Sequence, residues 1–83
     1  YPNPFNAETK IKFRLLNPAH VKIDIYNSLG EHVKTFLDYK LRGGTYKLTF
    51  KSDGLSSGSY IYVVDAKTDE KQYNSVKKMI LLK

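Results

Sequence analysis

Eighty-three residues without a cysteine suffice for one domain and exclude a disulfide or thiolate–metal scaffold, so stability must come from an apolar core. A net charge of +6 invites a polyanion-binding reading, but the 14 basic residues are spread along the chain. Many alternate with apolar residues, as lysines on the solvent face of strands do, and no nucleic-acid partner is expected.

No apolar run approaches the roughly 20 residues that span a bilayer as a helix, and no signal-peptide pattern is visible. The chain starts at Tyr1 rather than Met, which fits a piece of a longer protein.

In chain order, Tyr1-Pro2-Asn3-Pro4-Phe5-Asn6 comes first. Its prolines fix φ and remove donors, so residues 1–8 read as a stiff opening segment, with 9–83 as the folded domain. Period-2 alternation then predicts a strand over 9–15 with Ile11, Phe13 and Leu15 inward. A turn at Asn17-Pro18-Ala19 leads to a strand over 20–26 with Val21, Ile23 and Ile25 inward. Asn27-Ser28-Leu29-Gly30 makes a hairpin loop in which Gly30 is available for positive φ.

The third strand, 31–37, has no clear inward face: Val33 and Leu37 lie on one side, His32 and Phe36 on the other. A loop is expected over 38–44, then a strand over 45–51 with Tyr46, Leu48 and Phe50 inward. Ser52-Asp53-Gly54 turns the chain into a corner, and strand 60–67 follows. After Thr68-Asp69-Glu70 the final stretch, 71–82, reads as one long bent strand or as two broken near Ser75. It is apolar on both faces, with Met79 and Leu81 on one and Ile80 and Leu82 on the other, which suits a central or covered strand.

No segment carries a capped 3.6-residue period. Six to seven short strands separated by turns predict an all-β, immunoglobulin-like antiparallel β-sandwich, crossing between sheets near 38–44 and 52–59. Leu55-Ser56-Ser57-Gly58-Ser59-Tyr60 fits a tyrosine corner: Gly58 permits the tight turn, and the Tyr60 hydroxyl bonds to backbone just upstream.

Catalytic chemistry finds no support. His20 and His32 are 12 residues apart without a carboxylate at ligand spacing and read as solvated strand or turn residues. Nucleophile elbow, P-loop, GxGxxG and calcium-loop patterns are missing, so no cofactor, no metal and no enzyme activity are expected. Of the seven tyrosines, Tyr46, Tyr60 and Tyr62 are assigned to the core, leaving Tyr26, Tyr39 and Tyr73 for the surface.

Three features together resemble the type A C-terminal sorting domain of the type IX (Por) secretion system: the Tyr1–Asn6 opening, Ile25-Tyr26-Asn27-Ser28-Leu29-Gly30-Glu31-His32-Val33, and Leu55-Ser56-Ser57-Gly58-Ser59-Tyr60 followed by Lys78-Met79-Ile80-Leu81-Leu82-Lys83. The resemblance implies a non-catalytic transport address borne by a cargo domain on its N-terminal side. Its partners would be an outer-membrane translocon and a sortase-like peptidase, and its destination the cell surface or the medium.

On that resemblance Pro2, Asn3, Pro4, Phe5, Gly30, Gly58 and Tyr60 belong to the fold motif. Lys78, Met79, Ile80, Leu81, Leu82 and Lys83 contribute to recognition, for which strand addition supplies a mechanism. Dimerisation through an edge strand stays open. Two other readings compete. One is a generic immunoglobulin- or fibronectin-like accessory module of an extracellular hydrolase, acting as spacer or weak carbohydrate binder. The other is the related immunoglobulin-like domain of flagellar hook-capping proteins, whose Trp-Asp lead-in to Gly-x-Tyr is lacking here.

Overall fold

The computed structural model describes residues 8–52 and 54–82; the opening segment with Pro2, Asn3, Pro4 and Phe5, together with Asp53 and Lys83, lies outside the described residues. Six strands follow one another: β1 (Glu8–Leu15), β2 (Ala19–Asn27), β3 (His32–Leu41), β4 (Gly44–Lys51), β5 (Gly58–Lys67) and β6 (Gln72–Leu81). They form two antiparallel sheets, β1–β4 and β3–β2–β5–β6. The chain therefore changes sheet after β1, after β3 and after β4. A two-stranded sheet facing a four-stranded one in this order is an immunoglobulin-like sandwich arrangement.

The alternation of the sequence is the alternation of the core. Ile11 and Leu15 of β1, Val21, Ile23 and Ile25 of β2, and Phe50 of β4 are buried, while the lysines between them face solvent. Across the gap, β5 contributes Tyr60, Val64 and Ala66, and β6 contributes Met79 and Leu81. Ring contacts tie the layers together: Phe36 of β3 meets Phe50 of β4 edge-on with centroids 5.2 Å apart.

Strand β3 resolves the ambiguous face. Its ladder with β2 shifts register twice, between Ile23 and Asp24 and between Ile25 and Tyr26, passing over Phe36 and Val33. Each extra residue flips the side-chain phase. Val33, Phe36, Leu37 and Leu41 therefore all reach the core, although no single period-2 phase contains them.

The expected 38–44 loop is also corrected. Residues up to Leu41 stay paired with β2, and only Arg42 and Gly43 make the change of sheet. Likewise β6 is one unbroken strand with no gap at Ser75, because β5 supplies a partner for every residue from Gln72 to Leu81.

Turn chemistry sets the ends. The Asn27 Oδ1 accepts hydrogen bonds from the Leu29 and Glu31 amides at 2.9 and 3.0 Å, and Gly30 adopts φ +84°, the conformation that only glycine enters freely. At the β5–β6 turn the Thr68 hydroxyl accepts from the Lys71 amide at 3.0 Å. Truncating Ile23, fully buried on an interior strand, to alanine is expected to cost about 2–5 kcal/mol in urea denaturation, whereas Tyr39→Ala on the exposed edge should cost about 1 kcal/mol or less.

Candidate recognition surface on the terminal strand

The corner that launches β5 is formed as the sequence suggests. The Tyr60 hydroxyl donates to the Ser56 carbonyl at 2.7 Å, its ring is buried in the core, and Gly58 takes φ +157° at the first position of the strand. A second corner of the same design was not foreseen. The Tyr46 hydroxyl donates to the Arg42 carbonyl at 2.6 Å, four residues upstream as in the first. The signal was present: Gly44-Thr45-Tyr46 repeats Gly58-Ser59-Tyr60, and Tyr46 stacks on Phe13 at 5.1 Å. Each corner marks a change of sheet.

The corner holds β5 in place, and β5 holds β6. Pairing sets Tyr60 opposite Met79, Ile61 opposite Lys78, Ser59 opposite Ile80, and Gly58 opposite Leu81. The six residues assigned to recognition therefore do not act alike. Met79 and Leu81 are core residues. Lys78, Ile80 and Leu82 face solvent, and Lys83 lies outside the described residues. Among the described residues the doubly apolar segment is thus not central and is covered on one face alone: β6 is the outer edge of its sheet, Ile80 is 61% exposed, and Leu82 is 73% exposed.

The outward face of the four-stranded sheet divides in two. On β2 and β3 it is polar and self-satisfied. Asp24 accepts from the Thr35 hydroxyl at 2.7 Å and faces His32 Nε2 at 2.8 Å, with Lys22 at 3.8 Å, and His20 pairs with Asp38. The two histidines are thus exposed but partnered. Thr35 and Asp24 both approach the same ring nitrogen of His32, whereas a catalytic triad engages opposite nitrogens.

Burial works to raise the Asp24 pKa, but the hydrogen bonds from Thr35 and His32 and the charges of Lys22 and His32 outweigh it and hold the carboxyl below its ordinary value. Near the β5–β6 turn, Gln72 and Asn74 donate to Asp65 at 3.0 and 3.4 Å.

On β5 and β6, away from that turn, the outward face is mainly apolar, with Lys78 set beside Ile61 between Val76 and Ile80. Val63 lies opposite Val76, which is 65% exposed, and Ile61, 37% exposed, adjoins them. Sequence reasoning missed Ile61, Val63 and Val76 as surface residues. Their signal was that β5, like β6, is apolar in both phases. Tyr39 and Tyr73 are exposed on opposite edges of the sheet with β2 and β5 between them, so they do not make one stacking platform.

A sandwich with an intact tyrosine corner, whose apolar surface lies along its last strand, defines an interaction module. The chain matches the family described as secretion system C-terminal sorting domain over residues 1–82, and it belongs to that family. It is a sorting signal for type IX secretion. It is attached to a cargo chain and engages the type IX machinery, and it marks proteins exported to the cell surface or the extracellular space. Domains of this kind are generally non-catalytic. No curated protein and no solved structure matched the chain.

Tyr60→Phe is expected to lower stability by about 1 kcal/mol, because the Ser56 carbonyl loses its donor in a partly buried site, and Tyr46→Phe by less, because water replaces the lost bond. The depressed Asp24 pKa contributes stability that is present above the unfolded-state value of about 3.9 and lost as pH falls through the folded-state value. Urea midpoints from pH 7 to pH 2 should therefore fall in acid less steeply for Asp24→Asn than for the wild-type domain.

Proposed function

We propose that the outer-membrane type IX translocon reads Lys78 and Ile80, the exposed residues at the end of β6, with Leu82 and Lys83 after them, while Met79 and Leu81 anchor that strand to the core. The observation that carries this reading is the alternation at the end of β6: Met79 and Leu81 are locked into the sandwich, while Lys78 and Ile80 beside them are exposed on a sheet edge. Met79 and Leu81 then matter to export through folding alone. A cargo domain on the N-terminal side travels with the module, a sortase-like peptidase releases it, and the module itself performs no catalysis.

The anchoring residues make deletion of 78–83 a poor test, since it strips Met79 and Leu81 from the core. The better test keeps them. A periplasmic reporter fused to residues 1–83 should leave a type IX-competent cell, whereas Lys78→Glu combined with Ile80→Lys should hold it in the periplasm with an unchanged urea midpoint. Export of that folded variant at the wild-type level would contradict the assignment.

A further inference from the structure

Two edges bound the four-stranded sheet, and they are built differently. Strand β3 carries two register shifts and a row of charges that includes Lys34, Asp38 and Lys40. Bulges and charges are how natural sheets blunt an edge against pairing. Strand β6 has neither proline nor bulge: its ladder runs in unbroken register through ten residues. Among the described residues no strand occupies its outer side. Beside that edge lies the apolar strip of Ile61, Val63, Val76 and Ile80. The regular edge and the apolar strip thus coincide, where β3 has a blunted edge and a polar outward face.

Charge narrows the occupant. From Gln72 to Leu82 the chain has no carboxylate side chain, yet it carries Lys77 and Lys78, with Lys71 just before. Neither Lys77 nor Lys78 has an ion-pair partner among the described residues. A second copy of β6 would bring the same lysines and nothing to neutralise them, and like charges across a strand pair are unfavourable. Lys78 lies on the face of the strip and Lys77 on the opposite face, so a strand with apolar residues toward the strip and carboxylates on both faces satisfies the edge, the strip and the lysines at once.

We propose that β6 is extended by a strand of the secretion machinery whose apolar side chains pack against Val76 and Ile80 and reach past them toward Ile61 and Val63, and whose carboxylates neutralise Lys78 on that face of the sheet and Lys77 on the other. This deepens the reading of β6 as the recognised strand and rests on it. It moves recognition beyond the last residues, onto β5 and the middle of β6.

The test uses the reporter fused to residues 1–83 in a type IX-competent cell, with Val76→Lys, Ile61→Lys and Lys77→Glu/Lys78→Glu as variants. Each position is exposed, so urea midpoints should stay at the wild-type value; if a lysine variant does unfold, Val76→Thr keeps the β-branched shape and should show the same export defect. The expected result is a tenfold or greater loss of exported reporter for each.

Wild-type export of folded Val76→Lys and Ile61→Lys overturns the strip. If Lys78→Glu/Ile80→Lys still blocks export under those conditions, recognition by the terminal residues survives without it. Wild-type export of Lys77→Glu/Lys78→Glu overturns the acidic partner. Sedimentation of the wild-type domain as a micromolar dimer that Val76→Lys dissociates overturns it as well, in favour of a second copy of this chain.

Discussion

A two-stranded sheet cannot cover a four-stranded one, and most features of this domain follow from that mismatch. The core concentrates where β1 and β4 lie over the larger sheet, and Ile11, Ile23, Ile25, Phe50 and Leu81 are sealed there. Strand β6 is covered only toward its end, at Met79 and Leu81, while Tyr73, Ser75 and Lys77, which share their phase, stay exposed. A small domain with no disulfide depends heavily on such a core, so Met79 and Leu81 add packing to the β5 ladder that holds β6. The same strand holds the domain together with one phase and presents apolar surface with the other.

The corners belong to this economy. Changes of sheet leave backbone carbonyls without ladder partners, and buried polar groups without partners are costly. At the two later changes a tyrosine supplies the missing donor, to Arg42 in one and to Ser56 in the other, and packs its ring toward the interior. The Tyr60 corner also sets the start of β5, the strand that pairs with β6. Its bearing on recognition is indirect: it fixes where β6 sits.

Much of this was legible in the sequence because inward and outward residues alternate cleanly in β1, β2 and β4. The inward sets Ile11/Phe13/Leu15, Val21/Ile23/Ile25 and Tyr46/Leu48/Phe50 all pack in or against the core. Strand β3 was harder to read because a bulge shifts the phase of everything beyond it, and two bulges leave no period to find. The end of the chain was harder for another reason. Periodicity reveals that β6 has two apolar faces, but not which of them the other sheet covers. The six residues 78–83 therefore read as one block in the sequence, whereas the structure splits the described ones by phase and sets Ile61 and Val63 of β5 beside the exposed ones. The type IX resemblance was legible because its motifs occur in order along nearly the whole chain, a signal that periodicity alone does not provide.

Recognition by strand addition requires β6 to be an open edge that is filled when the machinery engages it. Amide hydrogen exchange of the residues from Gln72 to Leu81 measures this directly, in the free domain and in the domain bound to the translocon. In the free domain, amides of β6 that do not bond to β5 should exchange much faster than those of β5, and engagement should protect them. Amides already protected in the free domain, or still exchanging freely in the bound one, would contradict it.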